Sequence, residues 1–288
     1  MIRKLEYNKI HFGKYAECLR NSQQKNWYAR KEILDHLSGN WHILVYNDYE
    51  AVMPIHIQKK MGINFVHMPL FCQQLGIFSK IDNPEVNQCF LNFLTEKYRV
   101  FFYTFNDGNG FEDHLEKKKN YIIPVSEYPL LRRKKYFKGR KSTVKAAQHL
   151  TYQEIEFGAA ALDFIKNNFK GLTKEKDWEK LKNYLSFLSE NNTLKLAGAF
   201  SGNTLINLAL MVSDTDQLSL LGLMNHEQHK EENGASFLID KILQEYIAVK
   251  SFNFMGSNIR GIEVFFKSFG AELREYGFVE NKFLKRFA

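Results

Sequence analysis

Residues 218–224 read LSLLGLM, an apolar run with the length of one β-strand. A polar stretch from Asn225 to Asn233 follows it, and Gly234 and Ala235 end that stretch. From 235 to 249, apolar residues recur every three or four positions, which predicts a helix with one buried face. The sequence therefore predicts a strand, a loop and a helix. The first backbone N–H groups of this helix lie at the strand end, where they can hold an anionic or acyl group.

A shorter copy of this pattern comes next in the chain. Residues 251–255 read SFNFM and alternate as a short strand does, and Gly256 ends it. Apolar residues at helical spacing continue to Phe269, and this pattern predicts a helix with Asn258 as its N-cap and Gly270 at its C-terminus. Two consecutive strand–loop–helix units indicate an α/β fold.

The rest of the chain predicts one element order that occurs twice: helix, helix, hairpin, strand, helix, strand. In the first half, the predicted elements are helices 15–37 (interrupted near 21–22) and 84–97, and strands 41–46, 51–57, 65–68, 99–105 and 121–125. In the second half, they are helices 162–169 and 174–188, the latter capped by Thr173, and strands 194–200, 204–212, 273–278 and 283–287. The match is one of element order and not of residues.

The composition is that of a globular protein with a large core. The 288 residues are 44% hydrophobic and 15% aromatic, which argues against extended disorder. A net charge of +8 favours an anionic partner, although an ordinary basic surface has the same charge. The three cysteines are far apart, so we expect no metal site, no disulfide framework and a cytoplasmic location. We also expect no signal peptide and no transmembrane segment.

A basic segment lies between the two halves. Lysines and arginines crowd residues 132–145 without an acid among them. A helix over about 139–149 would bring Lys141 and Lys145 onto one face. With Arg140, these residues predict a site for phosphates or RNA. The alternative is a solvated linker helix, and the position between two similar halves favours the anion site.

Three of these segments are similar to a known family. They are the basic segment ending in Lys145-Ala146, the sequence Asn233-Gly234-Ala235, and residues 256–270, which end in FKSFG at 266–270. They resemble the acyl-CoA N-acyltransferase (GNAT) superfamily, and within it the tandem-domain, FemAB-like aminoacyltransferases of the peptidoglycan bridge. The resemblance covers roughly 131–271. It implies two tandem GNAT-like domains, a degenerate one at 1–130 and a second at 131–288, each a mixed, mostly antiparallel sheet flanked by helices.

The resemblance leaves two acyl donors open. An acyl-CoA donor would bind the loop and helix start at Met224, Asn233, Gly234, Ala235 and Ser236. Acetyl-CoA users of this fold usually have more glycine here, whereas Glu231 and Glu232 place carboxylates where the phosphates approach. An aminoacyl-tRNA donor needs no such loop, and the basic segment would contact the tRNA.

Acyl transfer to an amine requires a base, a stabilised oxyanion and two oriented reactants. The resemblance implies that a backbone N–H among residues 223–226 stabilises the oxyanion. His226 and Glu227, just past the strand, are the candidate general bases, unless His226 is simply an exposed loop residue. The candidate substrate-binding residues are Gln73, Gln74, Arg140, Lys141, Lys145, Ser257, Asn258, Arg260 and Lys267.

Several of these candidates have a structural alternative. Asn258 serves as a helix cap in that case, Lys267 packs on the surface, and Gln73 and Gln74 bond to backbone groups. The sequence thus predicts an N-acyltransferase that transfers an acyl or aminoacyl group to an amine of a cell-wall-type or small-molecule acceptor. The alternatives are an acetyl- or acyl-CoA-dependent GNAT enzyme and a non-catalytic RNA- or anion-binding protein.

Overall fold

The structure, a computed structural model, describes residues 1–24, 26–60, 62–172 and 174–281. The elements of the first part are β1 (Ile2–Leu5), α1 (Phe12–Asn21), α2 (Lys31–Ser38), β2 (Trp41–Tyr46), β3 (Ala51–Lys60), β4 (Ile63–His67), β5 (Phe78–Ser79), α3 (Pro84–Lys97), β6 (Arg99–Thr104) and β7 (Glu116–Ile123). They are followed by α4 (Tyr128–Lys134), α5 (Lys138–Ala146), β8 (Thr151–Glu154), α6 (Ala159–Asn168), α7 (Glu175–Glu190), β9 (Leu194–Ser201), β10 (Thr204–Ser213), β11 (Gln217–Asn225), α8 (Gly234–Tyr246), β12 (Ser251–Asn253), α9 (Arg260–Lys267) and β13 (Glu272–Glu280). Short 3₁₀ helices lie at Tyr7–Lys9, Trp27–Ala29 and Glu227–Glu232.

The chain forms two compact units. The first contains Met1–Lys118 and the described part of Glu275–Ala288, and the second is Lys119–Arg274. These units are defined by which residues pack together. The predicted domain limits, 1–130 and 131–288, concern a repeated sequence unit and stay a prediction.

The first unit is built on a mixed, mostly antiparallel sheet. Its strand order is β1-β2-β3-β4-β6-β13, and β5 pairs with the start of β3. Among the strand pairs described in this unit, only β4 and β6 run parallel, with Phe65 opposite Arg99. The predicted hairpin is present, with β2 and β3 joined by the turn at 47–50.

The second unit repeats this design. Its strand order is β7-β12-β11-β10-β9-β8, and of the pairs that the structure describes here only β11 and β12 run parallel. Helix α8 packs its apolar face, including Phe237, Leu238 and Ile242, against the sheet in one buried cluster. Burial of that face stabilises the helix much more than its intrinsic propensity does. Both sheets agree with the predicted α/β fold of two GNAT-like units.

Most predicted elements are present, and the clearest error lies before α9. Strand β12 ends at Asn253, because Met255 and Gly256 have φ values of 62° and 107°. Asn258 is not the N-cap of α9: Ile259 holds that position, and Asn258 Oδ1 accepts the N–H of Lys119 at 3.2 Å. Gly270 has the left-handed φ of 84° expected after a helix C-terminus.

Two predictions cannot be compared with the structure, since the cap at Thr173 and the strand 283–287 lie outside the described residues. Of the helices in the described ranges, none is long and apolar enough to cross a membrane.

Candidate functional site

The second unit has an opening in its sheet where β11 and β12 separate. The two strands pair from Gln217 opposite Ser251 to Ser219 opposite Asn253. Beyond Ser219, β11 continues to Asn225. Along these residues the edge of β11 that faces away from β10 pairs with no strand in the described ranges. A cavity of about 480 Å³ fills the opening between residues 220–225 and the segment 254–266. We call it the β11 cavity.

A β-bulge lies in the wall of this cavity. Leu210 of β10 pairs with Gly222 and Met211 pairs with Leu220, so Leu221 has no partner of its own in β10. A bulge twists the strand and redirects neighbouring backbone groups, which is why bulges are frequent beside active sites.

The backbone N–H groups of Leu223 and Asn225 face the opening. The N–H of His226 donates to the carbonyl of Ile206 in β10 at 2.7 Å. Backbone N–H groups alternate between the two edges of a strand. The N–H of Met224 therefore also points toward β10, and the N–H groups of Leu223 and Asn225 point away from it. Of the four positions predicted to supply an oxyanion donor, the geometry thus favours these two, and both line the β11 cavity.

The lining of the β11 cavity is almost wholly apolar. Phe254 and Phe266 stack with a centroid distance of 4.3 Å, and Leu221 and Ile262 contribute aliphatic surface. The lining residues include no charged side chain among those described. Asn225 and Ser257 carry its polar side chains.

Asn225 is positioned by a second amide behind it. Asn207, on β10 and almost fully buried, donates from Nδ2 to Asn225 Oδ1 and also lies 3.4 Å from the carbonyl of Met224. Its own Oδ1 faces the first residue of α8: a methyl group built on Gly234 would come within 1.7 Å of it. Gly234 is therefore required for close packing of helix and strand.

The two candidate bases differ in their surroundings. His226 follows β11 directly and is half-buried, with its ring 5.0 Å from that of His229 in an edge-on contact. Its Nδ1 accepts the N–H of Gln228 at 3.4 Å, so in the neutral ring Nε2 carries the proton. Glu227 is exposed and forms ion pairs with Lys230 and, at 3.3 Å, with Lys170. These cations lower the pKa of Glu227.

Most of the residues predicted to bind an acyl-CoA donor lie at the start of α8. Asn233 has the left-handed φ of 60°, and its carbonyl accepts the N–H groups of Ser236 and Phe237. The N–H groups of Gly234 and Ala235 belong to the first turn, where a helix leaves donors without a partner inside the helix. Ala235 lines the β11 cavity, whereas Met224 is buried.

One of the two acids before α8 is held by histidines. Glu232 accepts from His229 Nδ1 at 2.5 Å and lies 3.6 Å from His149 Nε2. The His229 contact is the largest cause that lowers the pKa of Glu232. This carboxylate is therefore ionised at neutral pH, close in the chain to the start of α8.

The basic residues of α5 have three different environments. Arg140 is half-buried, lies over the rings of Phe265 and Phe269 at 4.4 and 4.7 Å, and donates to Ser268 Oγ at 2.8 Å and to Ser236 Oγ. Its burial lowers the pKa of the guanidinium. Lys141 donates to the Arg133 carbonyl at 2.7 Å, and Lys145 is exposed.

The residues predicted on α9 and before it belong to the same part of the second unit. Ser257 lines the cavity and accepts the N–H of Ile259 at 2.8 Å, and Arg260 is exposed at the start of the helix. Lys267 pairs with Glu263 at 2.7 Å. Lys119 reaches the same carboxylate at 3.2 Å, so the two lysines share one acid.

Gln73 and Gln74 lie in the first unit and tie its loop to β6. The carbonyl of Gln73 accepts from Thr104 Oγ1 at 2.7 Å, and Gln74 Oε1 accepts the N–H of Asp107 at 3.0 Å. The N–H of Leu75 donates to the Thr104 carbonyl at 3.1 Å. This loop thus bonds to Thr104, the last residue of β6, and to the turn that follows it, just beyond the parallel β4–β6 pairing, whereas the corresponding edge of β11 is open.

Two residues of the site were missed at the sequence level. Asn207 is the one amide in the apolar strand sequence LINLALMV at 205–212, and that is the signal that could have indicated it. Glu263 could not be singled out, because its partner Lys119 is remote in sequence.

The two units and the open edge of β11 define a tandem GNAT-like fold, and solved structures share it. FemX has a TM-score of 0.62 with 11% identity, covering 99% of each chain. L-PGS from Bacillus licheniformis has a TM-score of 0.55 with 14% identity, covering 94% of this chain and 91% of that one. A tandem GNAT protein from the clavulanic acid biosynthesis pathway has a TM-score of 0.55 with 7% identity, covering 96% and 97%. No protein-family model and no curated protein sequence matches the chain.

Proposed function

We propose that this chain is an N-acyltransferase that transfers an acyl or aminoacyl group to an amine, with the β11 cavity as its active site. The observation that carries the proposal is the open edge of β11, where the N–H groups of Leu223 and Asn225 face an apolar cavity. The shared fold with FemX and L-PGS is a weaker support, because one fold hosts many activities.

In the proposed reaction, the amine nitrogen attacks the acyl carbonyl and forms the new C–N bond. The N–H groups of Leu223 and Asn225 stabilise the oxyanion, because fixed donors cost no reorganisation during the reaction. The C–O bond of an ester, or the C–S bond of a thioester, then breaks, and the leaving group takes the electron pair. The neutral ring of His226 accepts the proton that the amine loses at its unprotonated nitrogen, Nδ1, in exchange for the long 3.4 Å contact with the N–H of Gln228. Glu227 is the weaker candidate base, since its carboxylate is paired with Lys170 and Lys230 and its pKa is lowered.

The donor is proposed to be an aminoacyl-tRNA, with an acyl-CoA as the alternative. The exposed cations of the basic segment, such as Lys138 and Lys145, would contact tRNA phosphates. The ionised Glu232 and the exposed Glu231 disfavour a pyrophosphate near Asn233, Gly234, Ala235 and Ser236. The acceptor amine is proposed to be of the cell-wall type or a small molecule, and the compartment to be the cytoplasm.

Transfer assays with both donor classes test the proposal. Purified protein is incubated with charged tRNA or with acyl-CoA and a panel of primary amines, and product is detected by mass spectrometry. Transfer from charged tRNA supports the preferred donor. Transfer from acyl-CoA, with protection of residues 233–236 from hydrogen exchange, supports the alternative. Tight, salt-dependent RNA binding without turnover on any amine would instead indicate a non-catalytic RNA-binding protein.

A pair of variants on α9 connects the activity to the β11 cavity. Ile262 lines the cavity and is 39% exposed, while Val264 does not line it and is 53% exposed. Ile262→Trp narrows the cavity and is expected to reduce transfer, whereas Val264→Trp adds the same ring to the same helix and leaves transfer intact. Equal activity of both variants would place the reaction elsewhere.

A further inference from the structure

We infer that the group held in the β11 cavity is an uncharged apolar chain longer than acetyl, either a plain acyl chain or the side chain of an apolar aminoacyl group. This inference rests on the proposed function, and it names the substrate class of that site.

The first argument is the chemistry of the lining. The walls are made of leucine, isoleucine and phenylalanine side chains with glycine backbone, as at Leu221, Ile262 and Phe265. An ammonium or carboxylate within these walls would lose its hydration with no opposite charge in the described lining to compensate it. A lysyl-type or acidic chain is therefore rejected.

The second argument is size. A cavity of about 480 Å³ lies in the range that holds whole ligands, so an acetyl group would leave most of the apolar walls uncovered. A longer chain gains affinity from every methylene that it buries.

The third argument is the position of the walls relative to the carbonyl-binding donors. Leu223 and Asn225, whose N–H groups face the opening, line the same cavity as the stacked rings of Phe254 and Phe266. A carbonyl held by these N–H groups thus places its chain among aromatic and aliphatic side chains. The polar side chains, Asn225 and Ser257, are suited to the carbonyl end.

The polar groups near the cavity are already engaged with the protein itself. Arg140 stacks over Phe265 and donates to two serines, and Lys267 pairs with Glu263. Neither side chain belongs to the lining. Both cations are thus used in holding the walls and not in recognising a charged chain.

The test measures equilibrium binding of non-reactive N-ethylamides by calorimetry on the full chain. The series runs from acetyl to dodecanoyl, and affinity should rise about fourfold per added methylene until the chain fills the cavity. Heptanoyl and 6-aminohexanoyl amides have the same length and differ by a terminal ammonium. The charged amide should bind at least about 100-fold more weakly.

Two further amides distinguish the sources of the chain. Leucine N-ethylamide and 4-methylpentanoyl N-ethylamide differ by the α-ammonium of an aminoacyl group. Comparable binding indicates an apolar aminoacyl donor, and binding of only the second indicates a plain acyl donor; both results support the inference. Lysine N-ethylamide binding as tightly as the leucine compound would overturn it.

The variants and the activity assay separate this inference from the proposed function. Ile262→Trp should shorten the chain length that binds best, and Val264→Trp should not change it. Chain-length-dependent binding without turnover would leave the apolar site intact and refute acyl transfer. Turnover with acetyl or lysyl donors, without a preference for longer apolar chains, would refute the apolar site and leave acyl transfer intact. A flat affinity across the amide series, or no binding at millimolar concentration, would also refute the inference.

Discussion

Gly234, the first residue of α8, lies against the buried side chain of Asn207, and a methyl group at Gly234 would come within 1.7 Å of Asn207 Oδ1. In the sequence this glycine indicated a loop that lets a ligand approach the backbone. In the structure it lets a strand amide approach the helix. The same amide fixes Asn225, so the packing contact also shapes the wall of the β11 cavity.

Gly234→Ala is expected to destabilise the protein by about 1–3 kcal/mol, because the added methyl displaces Asn207 and strains a packed core. Urea unfolding followed by circular dichroism measures the change. Gly139→Ala is the matched control: Gly139 also lies in the first turn of a helix, as the second residue of α5, and a methyl group there meets no described atom within 4 Å. That variant should be neutral or more stable by up to about 1 kcal/mol.

A double-mutant cycle checks the named contact. If the clash with Asn207 is the cause, Gly234→Ala in an Asn207→Ala background should cost clearly less than it does in the wild type. Additive effects of the two substitutions would contradict this explanation.

The direction of the Leu223 N–H is open to a direct test. Proline lacks this donor, and it is tolerated in a strand only where the N–H is not part of the ladder. Met224→Pro should therefore destabilise the protein by about 3 kcal/mol or more, and Leu223→Pro by less. Leu223→Pro should still reduce turnover by about 10²–10³-fold, because it removes an oxyanion donor. Leu223→Ala controls for the lost side chain, and equal turnover of the Pro and Ala variants would exclude this donor.

His226 is expected to act as the general base of transfer. His226→Ala should lower kcat by about 10²–10⁴-fold without unfolding the protein. His229→Ala provides the control, since this ring contacts His226 but bonds to Glu232. Single-turnover rates with a saturating donor separate a loss of chemistry from a loss of binding. Similar rates for both variants and the wild type would eliminate His226.

Local patterns in the sequence predicted the elements, because a strand or an amphipathic helix is recorded in residues that are close in the chain. The strand at 218–224 and the helix after Gly234 are both present. The predicted cap at Asn258 was wrong, because the partner of its side chain is not close to it in the chain. Asn258 has the right residue type for a cap, yet its side chain accepts the N–H of Lys119, which is 139 residues away in the sequence. A competing long-range contact of this kind leaves no local signal.

The site shows the same limit. Sequence motifs indicated Gly234, Ala235 and Ser257, and all three lie at or next to the β11 cavity. The bulge at Leu221 and the outward N–H of Leu223 depend on the register between β10 and β11, and a register cannot be derived from one strand alone.

The stability of the second unit should depend on pH through Glu263. Lys267, Tyr121 and Lys119 surround this carboxylate and lower its pKa from 4.5 to about 2. A carboxylate with a lowered pKa in the folded state stabilises that state above its unfolded pKa. The stabilisation is lost as the pH falls from about 4.5 to about 2. Wild type should thus be more stable than Glu263→Gln at pH 7, and the difference should vanish near pH 2.

Urea unfolding at several pH values checks this expectation, with Glu179→Gln as the control. Glu179 is an exposed residue of α7, and its replacement should keep the stability within about 0.5 kcal/mol of the wild type. A difference between wild type and Glu263→Gln that stays constant from pH 7 to pH 2 would show that packing, and not charge, accounts for the effect.

Arg140 is expected to hold α8 and α9 together more than it binds an anion. Its guanidinium lies over Phe265 and Phe269 and bonds to Ser236 on α8 and to Ser268 just after α9. A lysine cannot reproduce this planar, forked contact, so Arg140→Lys should destabilise the protein by about 1–2 kcal/mol although the charge is kept. Lys145→Ala on the same helix should stay within about 0.5 kcal/mol of the wild type.

RNA binding should show the reverse order: Lys145→Ala should reduce the dependence of affinity on salt, and Arg140→Lys should not. If Arg140→Lys keeps full stability but loses RNA affinity, Arg140 binds a phosphate directly and the structural role is refuted.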